Sequence, residues 1–161
     1  MAKVKRNHWL AAAQPRSFTG LMGLYESNYR RFERLAPELD LPFEQACSTG
    51  EDATLYLRVV ERCRFTTTVH LTYWFGQGDE ARADPDLTLR LYRDAQLAEA
   101  VYCDARSRYA SLAGVPNIDD AVLDNQWPRN LLLNKWLAYC LARGHGFGGA
   151  NRPRVAIEDD V

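Results

Sequence analysis

No run in this chain approaches the roughly 18 consecutive apolar residues needed to span a bilayer, so a membrane-spanning helix is not expected. The four cysteines, Cys47, Cys63, Cys103 and Cys140, include no Cys-x-x-Cys spacing, which argues against a structural zinc site. Cys103 and Cys140 fall inside apolar patterns, where a reduced cysteine behaves as a small hydrophobe. That usage fits the cytoplasm. Neither sign of charge is in excess: 20 Lys plus Arg stand against 21 Asp plus Glu, leaving a net charge of −1. A whole-molecule field drawing in nucleic acid or an anionic membrane is therefore excluded, and any basic surface has to be local. Gly-x-Ser-x-Gly, His-Glu-x-x-His and the phosphate loop are all missing. No metal or cofactor is expected from motifs, and an enzymatic role is not favoured.

What is present is enough for a core. At 161 residues and 47% apolar, the chain can fold as one domain without disulfides or metal. The basic start, Lys3, Lys5 and Arg6, precedes an apolar run from Trp9 to Ala13 that is too short for a signal peptide. Residues 1–15 are expected to be a disordered tail. Ser17 is an N-cap candidate, and Phe18, Leu21, Tyr25, Tyr29 and Phe32 then recur at helical spacing, predicting an amphipathic helix that ends before Pro37.

Phe43 to Cys47 reads as a short strand, followed by a turn signal over Ser48 to Asp52. Ala53 to Val60 and Phe65 to Phe75 alternate as strands with one buried face each. Matching those faces in a hairpin requires an odd loop, such as Glu61, Arg62 and Cys63, or a bulge. Gly76 to Asp86 reads as a loop. Leu87 to Val101 alternates on both sides of a polar break and predicts a hairpin in which Arg90 faces Glu99, Leu89 faces Ala100 and Leu91 faces Ala98. Asp104 to Asp124 has no sustained period and reads as a long irregular connection.

From Pro128 a helical face of Leu132, Leu133, Trp136, Leu137, Cys140 and Leu141 runs to a stop at Arg143 and Gly144. Gly144-His-Gly-Phe-Gly-Gly149 follows a helix, the wrong context for a phosphate-cradling loop. Residues 145–161 are expected to be a disordered tail. Helix, strands, helix without alternation predicts an α+β fold over residues 16–144: an antiparallel sheet of four to five strands with an N-terminal and a C-terminal helix packed on one face.

Three motifs, Arg64-Phe-Thr-Thr-x-Val69, Leu87-Thr-Leu-Arg-Leu-Tyr-Arg-Asp-Ala-x-x-Ala-Glu99 and Trp136-Leu-x-Tyr-Cys-Leu-Ala-x-Gly144, resemble the YqiB-like family of small bacterial proteins of unknown function. The resemblance covers roughly residues 15 to 145 and brings no established activity, cofactor or catalytic residue with it.

The candidate surface is the polar sheet face, which gathers Tyr56, Arg58, Thr66, Thr68, His70, Trp74, Arg90, Tyr92 and Glu99. In the binding reading the face is centred on Arg58, His70, Arg90 and Tyr92, and Arg58 and Arg90 contact an anionic small molecule such as a nucleotide or phosphorylated metabolite. Tyr56 and Tyr92 stack or pack, and Glu99 orients Arg90. Against it stands the plain alternative that Thr, Tyr and Trp simply favour strands and Arg90–Glu99 is an ordinary cross-strand pair. A second reading is an adaptor whose protein partner docks on the helix 1 arginines or an edge strand. A third is a hydrolase using His70 with Glu99 or Glu61. Nucleic acid is not favoured as a partner, and membrane is not expected. Arg106 and Arg108, near Tyr109, are a further anion contact to consider.

Overall fold

Alternation and capping chemistry set the elements. In the computed structural model, which describes residues 17–37, 39–40, 42–50, 53–75, 82–103 and 126–148, the chain opens with helix α1, Phe18–Leu35. Ser17 caps it, its hydroxyl accepting the Gly20 N–H at 3.0 Å. Five strands follow, β1 (Gln45–Thr49), β2 (Thr54–Arg62), β3 (Thr66–Phe75), β4 (Arg82–Tyr92) and β5 (Leu97–Cys103), then helix α2 (Gln126–Ala142). The strands pair in sequence order as an antiparallel meander. No described helix is long and apolar enough to cross a membrane.

The expected register of the β4–β5 hairpin is observed: Arg90 faces Glu99, Leu89 faces Ala100 and Leu91 faces Ala98, around a turn over residues 93–96. The β2–β3 pairing meets its parity requirement with a bulge. Register shifts between Val59 and Glu61, so Leu57 faces Leu71 and Val59 faces Val69 while half-exposed Val60 is the extra residue. Leu55, Leu57, Val69, Leu71, Leu87, Leu89, Leu91, Ala98 and Ala100 form the buried sheet face. Both helices cover it, α1 with Phe32 and Leu35 and α2 with Leu132, Leu133, Trp136 and Leu137. Burying each such side chain contributes about 1.5–3 kcal/mol, so this shared core dominates the stability.

The edge of β5 is closed by helix side chains. Asn130 of α2 accepts the Ala100 N–H at 2.7 Å, Arg129 donates from Nε to the Ala100 carbonyl at 2.7 Å, and Asn28 of α1 donates to the Ala98 carbonyl at 3.3 Å. Asn28, Asn130 and Asn134 are all buried and hydrogen-bonded to one another in a chain, with Arg31 donating to both oxygens of Asn134. Strand edges left bare invite pairing with other chains; here the amides take that role internally.

Four readings require correction. Phe65 is not the first residue of the inward strand face but lies in the β2–β3 turn, half exposed, with Arg64 stacked over its ring. Phe18 points outward, and Leu24, Asn28 and Leu35 complete the buried stripe of α1, because the helix buries a polar amide against the sheet edge. Residues 82–86, expected in a loop, begin β4, with Thr72 opposite Asp86 despite the acidic composition. And the packed chain runs beyond Gly144. Gly144, at φ 86°, closes α2 with the His145 N–H on the Cys140 carbonyl and its own N–H on that of Leu141, a Schellman arrangement. That turn sends His145 and Phe147 back into the core, and Phe147 donates its N–H to the Leu35 carbonyl at the end of α1. Glycine richness suggested a flexible exit; burial of Phe147 overrides it. The expected N-terminal tail, the irregular connection with Arg106, Arg108 and Tyr109, and residues 149–161 lie outside the described residues.

Candidate functional site

Antiparallel pairing brings the polar residues into levels across the open face. One level runs Gln45, Arg58, His70, Thr88 and Tyr102, and the next runs Glu61, Thr68, Arg90 and Glu99. The six candidate residues divide into two groups along these levels.

Tyr56, Arg58 and His70 border a hollow of about 310 Å³, completed by Gln45, Leu57, Thr72 and Trp74. Arg58 donates from Nη2 to Nδ1 of His70 at 3.4 Å, which assigns the ring proton to Nε2. Arg58 is exposed, and among the described residues no carboxylate lies within ion-pair distance of it. Tyr56 and Trp74 remain 44% and 41% exposed, so the rings on its border are solvent-accessible. Asp86, opposite Thr72 on β4, accepts the Thr72 hydroxyl at 3.1 Å and is not part of the hollow's wall.

Tyr92 and Glu99 form a separate hydrogen-bonded cluster beside Arg90. Tyr92 donates to Oε1 of Glu99 at 2.5 Å and Tyr25 of α1 donates to Oε2 at 3.3 Å. Burial, and then the neighbouring Glu99 carboxylate, pushes the Tyr25 phenol up to about 12. Burial and the hydrogen bond to Glu99 likewise raise Tyr92. The Tyr92 hydrogen bond, supported by the fields of Glu99 and Glu61, holds the Arg90 guanidinium above its ordinary range. Arg90 and Glu99 face each other in the register as expected, but among the described residues no ion pair or hydrogen bond joins them directly; Glu99 is held instead by Tyr92 and Tyr25, which also fasten α1 to the sheet. The role of Tyr25 was hidden because its helical spacing read only as core.

The hydrolytic alternative needed His70 beside Glu99 or Glu61. His70 is hydrogen-bonded to Arg58, and the hydrogen bonds of Glu99 come from two tyrosines. The molecule does contain a serine–histidine contact elsewhere: Ser48 Oγ is 2.9 Å from His145 Nδ1, and His145 Nε2 is 2.9 Å from the Tyr73 hydroxyl. Ser48 and His145 are only 2% and 6% exposed, and the third group is a phenol, so this contact fastens β1 to the end of α2 and offers no substrate access. Burial lowers His145, with nearby Arg143 adding to the effect against a hydrogen bond involving Ser48. No cluster of three or more His, Cys, Asp or Glu among the described residues is arranged to hold a metal ion. Gln45 was missed as a site residue, although the outward parity of Gln45, Cys47 and Thr49 against buried Ala46 and Ser48 carries the signal.

Comparison with known proteins agrees with the motif resemblance. A family model described as "Protein of unknown function (DUF1249)" matches residues 31–146. The chain is 32% identical over 134 residues to "Uncharacterized protein YqiB" of Escherichia coli strain K12, an alignment covering 79% of this chain and 90% of the relative. The same identity and coverage hold for the YqiB proteins of Escherichia coli O6:H1 and O157:H7. No solved structure matches. The chain belongs to the DUF1249, or YqiB-like, family of proteins of unknown function.

Proposed function

We propose that this protein is a cytoplasmic binding domain whose polar sheet face takes a small anionic ligand in the hollow beside Arg58 and His70. The observation that carries the reading is the exposed Arg58 guanidinium, without a carboxylate partner among the described residues, at the border of a concave patch. Arg93, in the β4–β5 turn, is balanced by Asp40, whereas Arg58 is not balanced by any described carboxylate. An unbalanced guanidinium with His70 as a second donor is suited to a phosphate or carboxylate. Four reduced cysteines fit the compartment. Arg90, Tyr92 and Glu99 belong to the framework of the face and not to its ligand contacts.

Thermal-shift measurements against a panel of phosphorylated and carboxylated metabolites test this. A saturable rise in melting temperature that Arg58→Ala abolishes and Arg90→Ala preserves supports the reading. No shift with any anion, or a shift indifferent to Arg58→Ala, contradicts it.

A further inference from the structure

We infer that the ligand of this hollow is a nucleoside monophosphate, an inference that rests on the anion-binding reading above. Two observations beyond the cation carry it. Tyr56 and Trp74 border the same hollow from neighbouring strands and both keep more than two fifths of their surface in water, although Trp and Tyr side chains are expensive to leave there. The register opposes Tyr56 to Thr72 and Trp74 to Thr54, so the two rings are diagonal neighbours. Diagonal positions on a sheet stand roughly 7–8 Å apart, a spacing that admits one planar ring. Exposed aromatics on a sheet stack nucleobases because every base has a π-face.

The second observation is the charge count. Among the described residues Arg58 is the one guanidinium bordering the hollow, and His70 completes a two-donor site suited to a single phosphate. The next cation along the face, Arg90, is held by Tyr92 in the field of two carboxylates, and Asp86 stands beside Thr72. Among the described residues, a diphosphate or triphosphate tail would approach Asp86 on one side and Glu61 and Glu99 on the other. Gln45, opposite Arg58 on β1, supplies an amide that both donates and accepts, able to meet the edge of a base or a ribose hydroxyl. The volume of about 310 Å³ lies at the small end of ligand sites, in keeping with one nucleotide.

The test is calorimetric titration of the full chain with the four ribonucleoside 5′-monophosphates, their nucleosides and triphosphates, ribose 5-phosphate, inorganic phosphate and a ten-nucleotide RNA. At least one monophosphate is expected to bind ten-fold or more tightly than ribose 5-phosphate, phosphate and its triphosphate counterpart. Trp74→Ala should remove that advantage while leaving ribose 5-phosphate binding unchanged. Circular dichroism establishes that each variant is folded; Trp74→Phe, which keeps a ring, should retain the preference. Equal affinity for monophosphate and ribose 5-phosphate overturns the nucleotide assignment and leaves anion binding standing. RNA bound far more tightly than any monophosphate overturns it in favour of a strand platform. No binding of any phosphate-bearing probe overturns both.

Discussion

Asn130 Oδ1 accepts the Ala100 N–H at 2.7 Å, so a side chain of α2 stands where a sixth strand would otherwise pair with β5. The same residue donates from Nδ2 to the Gln126 carbonyl at 2.8 Å and joins Asn28, making it the junction between both helices and the sheet edge. Replacing it removes the partner of a buried backbone donor. Asn130→Ala is expected to cost about 1–3 kcal/mol in urea unfolding, because the Ala100 N–H is left without an acceptor. The variant should also self-associate more readily in light scattering, as its edge becomes available for pairing. A cost below about 0.3 kcal/mol would show that the edge is not held this way.

His145 makes stability depend on pH in one direction. Its native pKa is lowered by burial, so the unfolded chain binds more protons below its ordinary value near 6.5. Stability from the neutral ring is fully present above that value and is lost as pH falls through it toward the lowered native value. Subtracting the unfolding free energies of His145→Gln from those of the unchanged protein removes contributions common to both. The difference is expected to shrink between pH 7.5 and pH 5; a difference that stays flat or grows contradicts the buried neutral assignment.

Gln96 occupies φ 58° in the β4–β5 turn, a left-handed conformation that costs an ordinary side chain roughly 1–2 kcal/mol. Glycine removes that penalty but gives back part of it through a freer unfolded chain. Gln96→Gly is expected to stabilise the protein by about 0.5 kcal/mol in denaturant unfolding. Gly144→Ala, at φ 86°, should instead destabilise by about 1 kcal/mol, since the Schellman turn needs that conformation to send His145 and Phe147 inward.

Glu99 controls two phenols. With Glu99→Gln, the Tyr25 phenol, now near 12, and the Tyr92 phenol should both titrate at lower pH, because the adjacent negative charge is gone while burial remains. Ultraviolet titration of tyrosinate in the variant and in Tyr25→Phe reads this directly. An unchanged high-pH tail would mean that burial alone sets Tyr25.

Much of this fold was legible because period and parity are local. Leu89 to Ala100 carried its own register, and the parity mismatch between Leu57 and Thr68 required an odd loop or a bulge, of which the structure uses the bulge at Val60. What was illegible depends on distant partners. Nothing near Asn28 says that its amide meets a strand edge 70 residues away, nor does Gly-rich spacing reveal that Phe147 returns to the end of α1. The candidate site was half legible. Alternation placed Tyr56, Arg58, His70, Arg90, Tyr92 and Glu99 on one face, but only the register, with Tyr25 arriving from α1, separates an open Arg58 from an occupied Arg90.

The most direct measurement of the central claim is a two-dimensional amide NMR titration of the full chain with a phosphate-bearing ligand from the binding panel. Saturable shifts confined to Gln45, residues 56–58 and residues 70–74, absent in Arg58→Ala, are the expected result. Shifts centred on Arg90, Tyr92 and Glu99, or no saturable shift anywhere on the sheet face, would contradict it.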